Sequence, residues 1–173
     1  MRFWNSISPI TKFVVLFLVM LVIVSVIFSQ LFTRFHDNML WLMKMTTSIA
    51  GWTLTLFTND ASYSGVNIVC RNFTLEIIDE CTGLFEMLIF IAAVVSFPTT
   101  FRKKLSGFAM GIPAIFIFNL VRIIFLTLAG AYSIKVFDFM HLYLWQATLI
   151  IMIASIWVGW LYLVVYRAKG AQV

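Results

Sequence analysis

Charge is scarce in this chain. Lys, Arg, Asp and Glu make up 11% of its 173 residues, while hydrophobic residues make up 62%. An ordinary globular domain is about half apolar and about a quarter charged, so a soluble fold is excluded. Cysteine is scarcer still: Cys70 and Cys81 are the only two, and they do not form a Cys-x-x-Cys pair. Histidine is limited to His36 and His141. Two distant imidazoles give no metal-ligand spacing, so neither a metal nor a cofactor is expected. Low-complexity segments, internal repeats and long linkers are also missing. The chain therefore reads as one polytopic membrane domain over residues 1–173.

Long apolar runs are what the sequence has in abundance. A spanning helix needs about 20 apolar residues. Runs over 13–32, 84–101, 105–131 and 142–166 meet or approach that length. They predict an all-α integral membrane protein with about four transmembrane helices. The first run lacks a small-residue cleavage site and reads as a retained anchor. Basic residues set the orientation. Arg2 and Lys12 precede the first run, Arg102, Lys103 and Lys104 separate the second from the third, and Arg167 and Lys169 follow the fourth. Four crossings place all three groups in the cytoplasm. The net charge of +5 then reports topology, not nucleic-acid binding.

Residues 39–57 are apolar but carry Lys44, Ser48, Gly51 and Thr55 at helical spacing. That stripe favours an interfacial or re-entrant helix over a fifth span. An extracytoplasmic segment follows. Gly65 to Val69 and Phe73 to Ile78 are β-prone, and Phe73, Leu75 and Ile77 alternate with Thr74 and Glu76. With Cys70, Arg71 and Asn72 as the turn, they predict a small β-hairpin before Cys81. Asn72-Phe73-Thr74 matches a glycosylation acceptor, a short and common pattern. His36 reads as a surface residue, and Trp41, Trp52, Trp145 and Trp160 as interface anchors.

Depth counting singles out three residues. At about 1.5 Å per residue, Cys81 and Arg122 each lie roughly 30 Å from the basic turn at 102–104. His141 immediately precedes the last run on the same side. A helix start lowers a thiol pKa, and a thiolate with an imidazole partner is a nucleophile–base pair. Asp79, Glu80 and Glu86 oppose this by raising the thiol pKa, unless Arg122 or an imidazolium at His141 offsets them. Arg122 in an apolar helix calls for an anionic partner, either an oxyanion or a carboxylate. Taken singly, each has a structural role: Cys81 as a packed residue, Arg122 snorkelling to the interface, His141 as an interfacial cap. Pairing of Glu86 with Arg122 or Lys44 is favoured over acid catalysis. Gly107, Gly111 and Pro113 read as helix-packing or kink positions.

Glu80-Cys81-Thr82-Gly83, then Asn119-Leu120-Val121-Arg122, then Met140-His141 at the mouth of the final run resemble the exosortase/archaeosortase family. The chain is similar to its compact, exosortase H-like bacterial members. Thr82 stands where Ser is commoner, and Glu86 is less usual. The resemblance implies a membrane thiol protease or transpeptidase, a hydrolase of peptide bonds working in protein sorting. Its cargo would be exported proteins ending in a short motif, a hydrophobic helix and a basic tail. It implies Cys81 as nucleophile, with Arg122 and His141 catalytic and Asn119, Glu80, Thr82, Gly83 and Glu86 in support. It also implies a bacterial inner membrane, an active site facing the periplasm or exterior, and either water or an amine as acceptor. Two other readings remain: a thiol–disulfide oxidoreductase using Cys70 and Cys81, and a non-enzymatic assembly subunit.

Overall fold

The computed structural model describes residues 8–34 and 36–166, with side chains other than those of 31–33, 36–38 and 144–146. Arg2, Arg167 and Lys169, and the side chains of His36 and Trp145, lie outside the described residues. Helix α1 (Pro9–Arg34) is followed by α2 (His36–Thr55). Strands β1 (Ala61–Ser64), β2 (Asn67–Cys70) and β3 (Phe73–Glu76) come next, then a 3-10 turn at Asp79–Cys81. Helices α3 (Leu84–Ser96), α4 (Phe101–Tyr132) and α5 (Ile134–Phe139) follow. A π-helical stretch, Met140–Leu144, leads into α6 (Trp145–Trp160), which ends in a second π-helical stretch, Leu161–Tyr166.

The protein is a helical membrane protein with a small antiparallel sheet. Pro9–Gln30, Phe101–Tyr132 and Ala147–Tyr166 are long and apolar enough to cross a membrane. Helices suit such sequences because they satisfy every backbone polar group internally, without water. The expected span over 84–101 is shorter: α3 stops at Ser96, about 20 Å from its start. Pro98 explains the stop, because the residue before a proline is driven out of the α region. Phe97 accordingly sits at φ −75°, ψ 130°.

Helix α2 covers most of the segment expected at 39–57. Met43, Thr46, Thr47, Ala50 and Leu54 are buried, while Trp41 and Trp52 are exposed. Lys44 and Ser48 of the expected polar stripe face outward, but Gly51 turns inward against the Tyr63 ring. The hairpin is present and larger than expected. Strand β2 pairs with β3 as anticipated, with Cys70 opposite Phe73, and β1 adds a third strand, with Ser64 opposite Asn67. Gly65, at φ 61°, takes the first position of the two-residue β1–β2 loop, a positive-φ position that favours glycine.

Helix α4 organises the packing. Its buried face runs Gly107, Gly111, Ile115, Asn119, Ile123, Thr127 and Gly130. Near the start of α4, the Phe90 ring of α3 lies against Gly111, and the indole of Trp160 crosses Gly107 at 2.8 Å from where a Cβ would stand. Small residues spaced four apart allow this close helix approach. Trp160 is fully buried, and its Nε1 donates to the Lys103 carbonyl at 3.0 Å. It is a core residue, not an interface anchor. Lys103 Nζ donates to the Val165 carbonyl and Lys104 Nζ to the Val95 carbonyl, at 3.1 and 2.6 Å. These bonds use carbonyls left over at the ends of the α6 segment and α3.

Candidate active site

The upper half of α4 meets the sheet and the 3-10 turn. Ala50, Leu54, Ile68, Cys70, Ile77, Cys81 and Ile123 form one buried cluster there. Phe73 packs its ring on Gly130 and lies 5.0 Å from the Phe137 ring, which fixes the sheet to α4 and α5.

Cys81 is the last residue of the 3-10 turn, not the first of a helix. Its N–H donates to the Ile78 carbonyl at 2.9 Å. The Thr82 hydroxyl donates to the Asp79 carbonyl at 2.7 Å and accepts from the Leu84 N–H at 3.4 Å. Thr82 thus links the turn to the start of α3, a task that needs a hydroxyl. Gly83 between them has φ 77°, a left-handed conformation. A Cβ there would also lie 3.2 Å from the Asn119 amide.

Asn119 joins the Cys81 turn to α4. Its Nδ2 donates to the Cys81 carbonyl at 2.7 Å, and its Oδ1 accepts from Arg122 Nη1 at 3.2 Å. Arg122 Nη1 also lies 4.0 Å from Glu86 Oε1, and both side chains are 9% exposed. Cys81, Asn119, Arg122 and Glu86, spread over 42 positions, therefore occupy one place. The depth count placed Cys81 and Arg122 at one level of the membrane; their lateral closeness through Asn119 comes from the fold.

The thiol differs from expectation. Burial pushes Cys81 above its ordinary pKa, because a thiolate is poorly stabilised away from water. A backbone hydrogen bond with Ile78 and the Arg122 guanidinium pull it down, while Glu80 and Asp79 push it up. The expected lowering by a helix start is lost because α3 begins three residues later, at Leu84.

His141 stands one element away. It is exposed on the Met140–Leu144 stretch, with its ring 5.2 Å from Phe137. Its neighbour Met140 lines a cavity of about 230 Å³ together with Arg122, Phe118, Phe125 and Thr148. Glu80 is exposed beside Cys81 and faces a second cavity with Glu86. Cys70 is a free, buried thiol in the same cluster as Cys81, which is also free. Phe137 escaped sequence reasoning, since one phenylalanine among 18 carries no distinguishing signal.

Residues 8–157 match the family model for transmembrane exosortases (Exosortase_EpsH). The chain belongs to the transmembrane exosortase family. The match spans α1 through most of α6 and so includes Cys81, Asn119, Arg122 and His141. No curated protein and no solved structure matches the chain.

Proposed function

We propose that this exosortase is a membrane-embedded cysteine transpeptidase or protease that removes C-terminal sorting tails from exported proteins. One observation carries the reading: Asn119 bonds both the Cys81 carbonyl and the Arg122 guanidinium. A buried cation held beside a thiol suits acyl transfer, in which negative charge develops on the attacked carbonyl oxygen. Family membership supports the same chemistry.

In this scheme the cargo helix enters laterally and presents the peptide bond that precedes it. The Cys81 thiol is neutral at rest, because burial raises its pKa. Its proton passes to His141 as Sγ attacks the scissile carbonyl carbon. Arg122 stabilises the tetrahedral oxyanion. The C–N bond then breaks, and the tail amine leaves with the proton from His141. The resulting thioester is opened by water, giving a protease, or by an amine, giving a transpeptidase. Asn119, Thr82 and Gly83 position the turn, and Glu86 balances the Arg122 charge. The site faces the periplasm of an inner membrane, and the basic turn at 102–104 faces the cytoplasm.

The test is processing of an exported reporter that carries a tail signal from the same proteome. Cys81→Ala and Cys81→Ser abolish tail removal, while the wild type accumulates a hydroxylamine-sensitive thioester on Cys81. Normal processing by either variant would sink the scheme and favour an assembly subunit.

A further inference from the structure

A groove runs between α1 and α6 along the outer surface of α3. Its upper part is a cavity of about 560 Å³ walled by Phe28, Phe85, Leu149 and Ile150, with Glu80 and Glu86 at its polar end. Ile89, Ile150 and Ile153 also line a second cavity of about 370 Å³, which has no charged side chain in its lining. The Phe13–Trp157 stack, 5.5 Å between ring centroids, borders the far end. Phe28 to Phe13 spans about 22 Å along α1.

Three observations point to one kind of occupant. First, Glu86 is 7% exposed, and its Oε2 has no hydrogen-bond partner among the described residues. The Arg122 contact reaches only Oε1, at 4.0 Å, which is beyond hydrogen-bonding range. A buried carboxylate oxygen without a donor is costly, so Oε2 calls for a further donor beyond the Arg122 guanidinium on the other oxygen. Second, Glu80 adds a second carboxylate at the same end. Third, the rest of the groove is apolar and follows α1 for about 22 Å. A peptide helix is about 10 Å across. A single alkyl chain is far thinner.

We infer that this groove binds a membrane lipid with a primary-ammonium headgroup. The ammonium sits between Glu80 and Glu86, and one acyl chain runs past Ile89 and Ile153 towards the Phe13–Trp157 stack. An ammonium supplies three donors on a compact charge, which is what the Glu86 end lacks. Anionic headgroups are repelled by the same two carboxylates.

Lipid retention tests this without any cargo, so its failure leaves the cysteine chemistry untouched. The full chain is exchanged into mixtures of phosphatidylethanolamine, phosphatidylcholine and phosphatidylglycerol with identical chains, and co-purifying lipid is read by native mass spectrometry. The wild type retains phosphatidylethanolamine about tenfold over phosphatidylglycerol, and by a smaller margin over phosphatidylcholine. Glu86→Gln brings both ratios towards one. Ile150→Trp lowers phosphatidylethanolamine retention with both carboxylates intact; residue 150 is 67% exposed, so this variant keeps the test valid if Glu86→Gln folds poorly. Equal retention of the three lipids by the wild type overturns the proposal. So does unchanged selectivity in folded Glu86→Gln, or displacement only by a lysine-bearing single-span peptide.

Discussion

The two halves of α4 are built on opposite principles. The half near Arg102 packs mainly by shape: glycines at 107 and 111 receive the Trp160 and Phe90 rings, and the polar contacts of Lys103, Lys104 and Trp160 run to backbone carbonyls. The half near Arg122 places Asn119, Thr127 and the Arg122–Glu86 pair among isoleucines. One half holds helices together by shape; the other holds a backbone turn in place through a side-chain amide. In hydrocarbon, shape complementarity is the cheaper way to associate helices, and buried polar groups mark functional positions. The division therefore separates scaffold from site along a single helix, and substitutions in the two halves should fail differently.

The largest effect on activity short of losing the nucleophile falls in the polar half. Arg122→Ala should lower tail cleavage by about 10²–10³, the range for removing an oxyanion donor. It should also change the thiol. Burial already holds Cys81 above its ordinary pKa, and Arg122 acts in the opposite direction. Removing the guanidinium therefore moves the midpoint of Cys81 alkylation to still higher pH, measured in a Cys70→Ala background. An unmoved midpoint would break the electrostatic link between Arg122 and Cys81. Arg122→Lys keeps the charge but loses the planar fork, so it should restore part of the midpoint and less of the activity.

The apolar half should show the reverse. In Gly111→Ala the new methyl group meets the Phe90 ring. Overpacking of this kind costs about 1–3 kcal/mol, read as a lower unfolding midpoint in detergent. Cleavage by the folded fraction should remain within about twofold, because no site contact changes. A large loss of activity with unchanged stability would mean that the halves are not separable.

Gly83→Ala tests the seam between them. The left-handed φ of 77° costs a β-carbon about 1–2 kcal/mol, and the methyl group presses on Asn119. Cleavage should fall about tenfold through displacement of the Asn119 amide. Normal activity would show that Asn119 tolerates movement.

Much of this was legible in the sequence. The apolar runs announced the membrane, and the basic turn served as a ruler that set Cys81 and Arg122 at one depth; the Asn119 bond that links them follows from α4 staying helical through Pro113. The β2–β3 hairpin followed from its alternation. Strand β1 did not, because Ala61–Ser64 is polar and largely exposed, and only its pairing with β2 makes it a strand. The end of α3 carried a signal in Pro98, but the hydrophobic run around it was stronger. The raised thiol pKa was hidden for another reason. It depends on Ile68, Ile77 and Ile123 closing over Cys81 from separate elements, whereas the sequence displays only its acidic neighbours and the helix that follows.

The smallest expected effect concerns the other cysteine. Cys70 is 2% exposed, and both thiols are free within one cluster. Cys70→Ala removes a small apolar group from that cluster and should cost about 1 kcal/mol. Cys70 lies at the end of β2, opposite Phe73, whereas the Cys81 turn is held through Asn119. Cleavage should therefore stay within about twofold of wild type. An oxidoreductase would lose all turnover in this variant, because a dithiol cannot cycle with one sulfur. With the site facing an oxidising compartment, as proposed, a nucleophilic enzyme gains a protected thiol, since Cys81 no longer has an internal partner. Processing without added reductant should then persist at least as long in Cys70→Ala as in wild type. A faster loss in the variant would show that Cys70 supports Cys81 chemically, beyond its place in the packing.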